Sequence, residues 1–221
     1  ATPGHSIKGN ITIAAGGVLN FTPASAGTVN LNGTSAQSIS GAGTLSFGAN
    51  STFVVNNASG ITQNRSAAFN NQTLTTGIVN TGVNTLTVNG TLIGGSATAY
   101  VNGKLARPFA TAVSKDFPIG KGGNYRPVTL NYTALDAPST VTAEQTESAI
   151  GGTLPAGATL FTDRFWTLTQ TGATVFAYDI TLDGTGFLPA ATPVILKNDA
   201  GTITINSTTG TPPAYKASGL T

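Results

Sequence analysis

From Ile11 to Ile93 the chain repeats one pattern, a three- to five-residue stretch that alternates apolar and polar positions and is closed by Gly or Asn. Ile11-Thr12-Ile13, Gly17 to Phe21, Thr28 to Gly33, Gly43 to Gly48, Thr52 to Asn56, Asn84 to Gly90 and Thr91 to Ile93 are copies of it. A period of two between turn-forming residues predicts short β-strands. Their spacing of roughly 8 to 16 residues suits the coils of a parallel β-solenoid, with an antiparallel sandwich as the alternative. No strict repeat length emerges. Asn and Gly at the closures fit solenoid corners, where left-handed backbone is tolerated and side-chain amides bond locally.

Near Tyr100 the pattern changes and the strands lengthen. Val128 to Thr133 and Phe176 to Leu182 alternate cleanly, and Leu105–Phe109, Thr140–Gln145, Arg164–Thr169, Val194–Lys197 and Thr202–Asn206 are further strands. With Gly-Lys-Gly-Gly, Asp183-Gly184 and Asp199-Ala200-Gly201 turns between them, they predict an Ig-like antiparallel β-sandwich. The chain is thus read as all-β, with a solenoid-like region over 1–99 and a sandwich over 100–221. The nearest approach to a helical period is the short segment Glu144 to Ile150.

Charge sharpens this division. Residues 1–99 hold 13 Asn and no Asp or Glu, and their only cations are Lys8 and Arg65; all eight acids of the chain lie beyond Tyr100. A stretch without carboxylates offers no carboxylate general acid or base and no hard-cation cage, so a solenoid lyase or hydrolase is disfavoured. Charged residues make up 8% of the chain, and the formal charge of +2 is a small imbalance that does not point to nucleic acid. The absence of Cys removes disulfides and thiolate chemistry. A chain that opens Ala1-Thr2-Pro3 and contains no Met is expected to be a processed segment of a secreted or surface-displayed protein. No apolar run approaches the roughly 20 residues that span a bilayer.

Individual residues favour structure over chemistry. His5 is the only histidine, and no triad or His-based metal site assembles around it. Gly120-Lys121-Gly122-Gly123 lacks the spacing of a phosphate loop and reads as a hairpin turn. Asp163, Asp179, Asp183 and Asp199 match no compact calcium loop. Sequons such as Asn10-Ile11-Thr12, Asn32-Gly33-Thr34 and Asn89-Gly90-Thr91 arise readily in an Asn- and Thr-rich text. Lys104, Arg107, Lys115, Lys121 and Arg126 stand against one acid, Asp116. Lys104, Arg107, Lys121 and Arg126 are a candidate contact for an acidic polysaccharide, or simply the solvated faces of two strands and a turn. Trp166 shares a strand face with Leu168, which favours core packing over sugar stacking. A Lys–Asn isopeptide crosslink involving Lys197 is a further, remote option. No cofactor or metal is expected.

The segment Gly94 to Arg107 (GGSATAYVNGKLAR), then Phe117-Pro118-Ile119-Gly120-Lys121-Gly122-Gly123-Asn124-Tyr125-Arg126-Pro127-Val128, and Arg164-Phe165-Trp166 followed by Thr171-Gly172-Ala173, carry a resemblance. They are similar to the recurrent β-rich module of large secreted surface proteins of Bacteroidetes, of the kind exported by the type IX system. That resemblance implies a non-catalytic, adhesin-like surface module with no catalytic residues to transfer.

The functional expectation is therefore a non-enzymatic extracellular structural protein, a surface adhesin module or a filament subunit that assembles head-to-tail through its terminal segments. The candidate joining residues are Ala1, Ile7 and Ile11 at one end and Tyr215 and Leu220 at the other. The expected partners are further copies of the chain or neighbouring modules, with a glycan as a possible ligand and neither nucleic acid nor membrane insertion. A carbohydrate-binding accessory module, using Tyr125 or Trp166 as its platform, is the alternative.

Overall fold

The computed structural model describes residues 4–149, 153–157, 164–187 and 193–221, and among them there is no helix. The first half winds as stacked rungs. The first rung is β1 (Gly4–Ile7), β2 (Ile11–Thr12) and β3 (Val18–Phe21); the second is β4 (Gly27–Leu31), β5 (Gln37–Ser40) and β6 (Thr44–Phe47). The third is β7 (Ser51–Asn56), β8 (Ile61–Gln63) and β9 (Ala67–Phe69). In the fourth, β10 (Asn71–Thr76) leads into β11 (Val79–Val88), which serves two faces by turning at Gly82, and in the fifth β12 (Leu92–Gly94) leads to β13 (Val101–Phe109).

Among the described residues every pairing between rungs is parallel, with register shifts between Leu74 and Thr76 on β10 and between Asn80 and Thr85 on β11. One face runs β1-β4-β7-β10-β12, and Thr28 stands beside Thr52 and Val29 beside Phe53. The second runs β2-β5-β8-β11-β13, and the third stacks β3 on β6 and β9 on β11. This is β-solenoid stacking. A rung takes as few as 18 residues, from Ile61 to its partner Val79, and as many as 28, from Ile11 to Ile39. The corners absorb the difference, which is why the sequence shows a rhythm without a fixed period.

Inward positions form apolar columns. Leu31, Val55, Ile39, Ile61, Leu86 and Val88 are fully or almost fully buried, and Phe47, Phe53 and Phe69 meet in a cluster in which Phe53 and Phe69 stack at 4.1 Å. The columns are interrupted by amides. Gln37 is buried with both ends satisfied: its Nε2 donates to the carbonyls of Ile7 and Gly9, and its Oε1 accepts from Gly33 N and Asn57 Nδ2. Gln72, in register between Phe53 and Leu92, is 1% exposed and has a partner for neither its Nε2 nor its Oε1.

Asparagine fastens each rung to the one beside it. Asn50 Nδ2 donates to the carbonyls of Pro23 and Ala24, Asn57 Nδ2 to Ser35 O, Asn71 Nδ2 to Ser51 O and Asn84 Nδ2 to Gln63 O, at 2.8 to 3.3 Å. Asn102 Nδ2 donates to Asn80 Oδ1 at 2.8 Å directly across the ladder. A carboxylate at these places could accept but not donate, and like charges repeated one strand spacing apart would repel by roughly 1–3 kcal/mol per pair. At these positions the stacking favours asparagine over an acid.

Tight corners need glycine. Gly77, at φ 101°, lies where a Cβ would come within 1.8 Å of Asn57 O, so no side chain fits that corner.

β13 joins the two halves of the molecule. Its first residues continue the parallel stack, with Val101 between Val79 and Ile119 of β15 (Ile119–Lys121), whose other edge is closed by β16 (Asn124–Tyr125). Gly103, at φ 125°, takes the bend; a Cβ there would meet Thr81 Oγ1 at 2.2 Å. Beyond it, Leu105 to Phe109 pair antiparallel with β18 (Ser139–Thr146), which pairs with β19 (Phe165–Thr171). A second antiparallel sheet is made of β14 (Ser114–Phe117), β17 (Val128–Leu135), β20 (Phe176–Asp183) and β23 (Ala214–Leu220) in that order. The two sheets meet where the Phe109 ring stands edge-on to Tyr132 at 4.9 Å, and one apolar cluster runs from Ile11 through Phe109 and Phe117 to Leu220. β21 (Val194–Asp199) and β22 (Thr202–Ser207) form a separate hairpin. The segment Glu144 to Ile150 is not helical where it is described, since Glu144 to Thr146 close β18; Ile150 lies outside the described residues.

Candidate functional site

The basic cluster of the sequence is dispersed by the fold. Arg107 is buried on β13, where its Nη1 donates to Asp116 O at 2.8 Å and its Nη2 to Gly90 O at 3.1 Å. Burial lowers its hold on its proton, and the Asp116 charge opposes that shift. Arg126 is also buried and paired, with Glu147 at 3.1 Å and Asp183 at 3.5 Å, and it donates to Thr185 O. Lys115 reaches the carbonyl of Pro108 and lies over the Phe109 ring at 5.1 Å; burial, then Arg107, depress its pKa. Of the four residues of the candidate polyanion contact, Lys121 is exposed, Lys104 is half-buried, and the two arginines hold loops to strands. Sequence spacing gave no sign of this, because alternation shows which face a residue occupies but not what lies over it.

The remaining candidates are placed just as definitely. Trp166 is half-buried and its Nε1 donates to Arg126 O at 3.1 Å, while Tyr125 packs obliquely against Tyr100 at 6.0 Å. Asp179 pairs with Lys216 at 2.8 Å, Asp199 with Lys197 at 3.4 Å and Asp183 with Arg126, whereas Asp163 lies outside the described residues. Among the described residues no three His, Cys, Asp or Glu gather as metal ligands. Lys197 Nζ reaches the Thr221 carbonyl and Asn198 Oδ1 accepts from Gly201 N in its own turn, so the two side chains serve separate contacts. A shallow groove of about 310 Å³, lined by Pro108, Phe109, Pro138, Ser139, Thr171 and Gly172, contains no ionisable group.

Of the candidate joining residues, Ala1 lies outside the described residues and Ile7 is half-buried on β1. Ile11, Tyr215 and Leu220 are buried, Tyr215 and Leu220 on β23 against β20. Such residues support the ends from within. The surfaces that the ends present are made by others. At the first rung, Val18 is 68% and Leu19 37% exposed, and the exposed His5 stands edge-on to Phe21 at 5.3 Å. Leu19 is in register with the partly buried Leu45 one rung on, and fully covered inward residues such as Leu31 and Val55 are 0% exposed. The first rung is therefore a rung of the stack with one side left uncovered by the described residues.

At the far end the order β13-β18-β19 finishes on β19, a seven-residue strand reading FWTLTQT with no charge and no proline, and the hairpin exposes Val194 and Ile205. The two ends lie at opposite limits of the strand order. The length of β19 and the lack of covering at β3 were not read from the sequence; the signal available for both was the uncharged alternation of VLNF and WTLTQT. Compared with protein-family models, curated proteins and solved structures, the chain matches none.

Proposed function

We propose that this chain is a non-enzymatic structural module of an extracellular surface, a filament subunit or adhesin-like module that joins further copies or neighbouring modules head-to-tail. The observation that carries this reading is the uncovered first rung: Leu19, in stacking phase, is 37% exposed and Val18 beside it 68%, at the limit of a parallel stack whose outermost strands β1, β2 and β3 hold no Asp, Glu, Lys or Arg. Soluble single-domain proteins guard such edges with charges, prolines or caps. Two different surfaces at opposite ends make a heterologous contact, and a heterologous contact whose rotation does not close builds an open fibre. The antiparallel half is read as an Ig-like sandwich serving as the other end of the unit, and the resemblance to secreted Bacteroidetes surface modules points the same way. A carbohydrate platform gains less support, because the Trp166 indole is tied to the backbone and half-buried. Negative-stain imaging of concentrated protein tests the proposal: filaments or end-to-end chains are expected, and monodisperse single particles at every concentration would overturn it.

A further inference from the structure

Resting on that head-to-tail reading, we infer that the joint is a strand pairing between the free edge of β19 in one copy and the free edge of β3 in the next. The third solenoid face would then continue from subunit to subunit.

Three features favour these two edges. First, they lie on the same face: β3 stacks on β6, β9 lies between β6 and β11, and the face continues through β11 and the second half of β13 to β18 and β19. Among the described residues, neither β3 nor β19 has a partner on its outer edge. An unpaired edge carries a row of donors and acceptors that a second chain can satisfy. Second, the phases agree. On β19 the half-buried Trp166 and Leu168 alternate with the exposed Thr167, Thr169 and Thr171; on β3 the exposed Val18 and Asn20 alternate with Leu19 and Phe21, which stack on Leu45 and Phe47. Pairing them sets Leu19 and Phe21 beside Trp166 and Leu168 and covers the apolar surface that the first rung leaves open. Third, nothing repels. Neither strand holds a charge or a proline, so the usual guards against edge-to-edge association are missing from both.

The chain contains no cysteine, which gives a clean test by crosslinking. Cross-strand Cβ atoms lie about 4.5–5.5 Å apart and a disulfide needs about 3.5–4.5 Å, so the register is scanned by combining Asn20→Cys with Thr167→Cys, Thr169→Cys or Thr171→Cys in one chain. After oxidation, at least one of the three double variants should give an SDS-resistant ladder extending beyond the dimer, and each single variant should stop at the dimer. Leu19→Lys should abolish filaments while leaving the far-UV spectrum and the melting temperature within a few degrees of the parent. If the unsubstituted chain forms filaments but no double variant ladders, the β3–β19 joint is wrong and the head-to-tail reading stands. Laddering of Asn20→Cys with Thr204→Cys in its place would assign the donor to β22 and overturn the β19 pairing, as would filaments of Leu19→Lys. An unsubstituted chain that never associates would remove the underlying reading itself.

Discussion

Replacing Gln72 by leucine should make the protein more stable. Gln72 sits inside the stack between Phe53 and Leu92 with both amide ends lacking a partner. A buried donor or acceptor left unmade costs about 1–3 kcal/mol, and leucine nearly matches glutamine in volume while adding no polar atom. Counting one such penalty relieved and allowing for imperfect repacking, the gain is about 2 kcal/mol. For a chain of this size that corresponds to a rise in melting temperature of about 4–8 °C. Thermal unfolding followed by circular dichroism reads it directly. The matched control is Gln37→Leu, which removes four hydrogen bonds and takes from Gly9 O and Gly33 N the partner they have in the stack, while Ile7 O keeps Asn32 N and the Asn57 amide keeps Ser35 O; it should lose about 3 kcal/mol. If both substitutions destabilise equally, the Gln72 amide has a partner, such as a buried water, and the reasoning from its isolation fails.

Three further outcomes follow from the same geometry. Arg107→Met should destabilise by about 2–4 kcal/mol, since the Asp116 and Gly90 carbonyls lose their donor, and should leave retention on a heparin column unchanged; loss of retention without loss of stability would restore it as a surface contact. Acid should loosen the antiparallel half before the solenoid. Hydrogen bonding from Lys216 holds Asp179, and hydrogen bonding from Thr174 holds Asp136, below the usual carboxylate range near 3.9, so their contribution is present above that value and is lost as pH falls through the lowered folded values. Hydrogen exchange, corrected for intrinsic rates, should show protection falling in β17, β20 and β23 between pH 5 and pH 2 while β4, β7 and β10 keep theirs; uniform loss would refute it. Gly103→Ala should break the bend of β13 and cost at least about 2 kcal/mol in a denaturant melt, because its Cβ meets Thr81 Oγ1 in a backbone conformation alanine avoids; a neutral result would show that the strand can straighten.

Most of the strands were legible because their alternation is strong. The stretches at Thr28 to Gly33 and Thr52 to Asn56 became β4 and β7, and Val128 to Thr133 and Phe176 to Leu182 became β17 and β20. The strands that went unread have weaker apolar character: β5 reads QSIS and β10 reads NQTLTT, and their inward places include Gln37 and Gln72. Glutamine inside a stack defeats a rule based on hydrophobicity. The solenoid was legible in the spacing of the stretches closed by Gly and Asn, beside an antiparallel alternative, yet the amides that donate to carbonyls of the adjacent rung appear only when residues about twenty apart are brought side by side. The candidate sites fared differently. Ile11, Tyr215 and Leu220 were named for their place near the chain ends, and burial depends on what folds back over them; β23 lies against β20, whose paired residues are 31 to 42 positions earlier, a pairing no local pattern announces. Arg107 and Arg126 looked like surface charge for the same reason.

The amide-fastened stack also changes what an enemy of the protein can read. Proteases that cut after lysine or arginine find only Arg65 between Lys8 and Lys104, and its guanidinium is held on the carbonyls of Gly41 and Gly43. Those that cut at acidic side chains find nothing at all in residues 1–99. A scaffold that replaces charge with asparagine has removed the cleavage signals of both these classes of protease, and leaves attack on the chain to enzymes that recognise apolar side chains, most of which the stack buries.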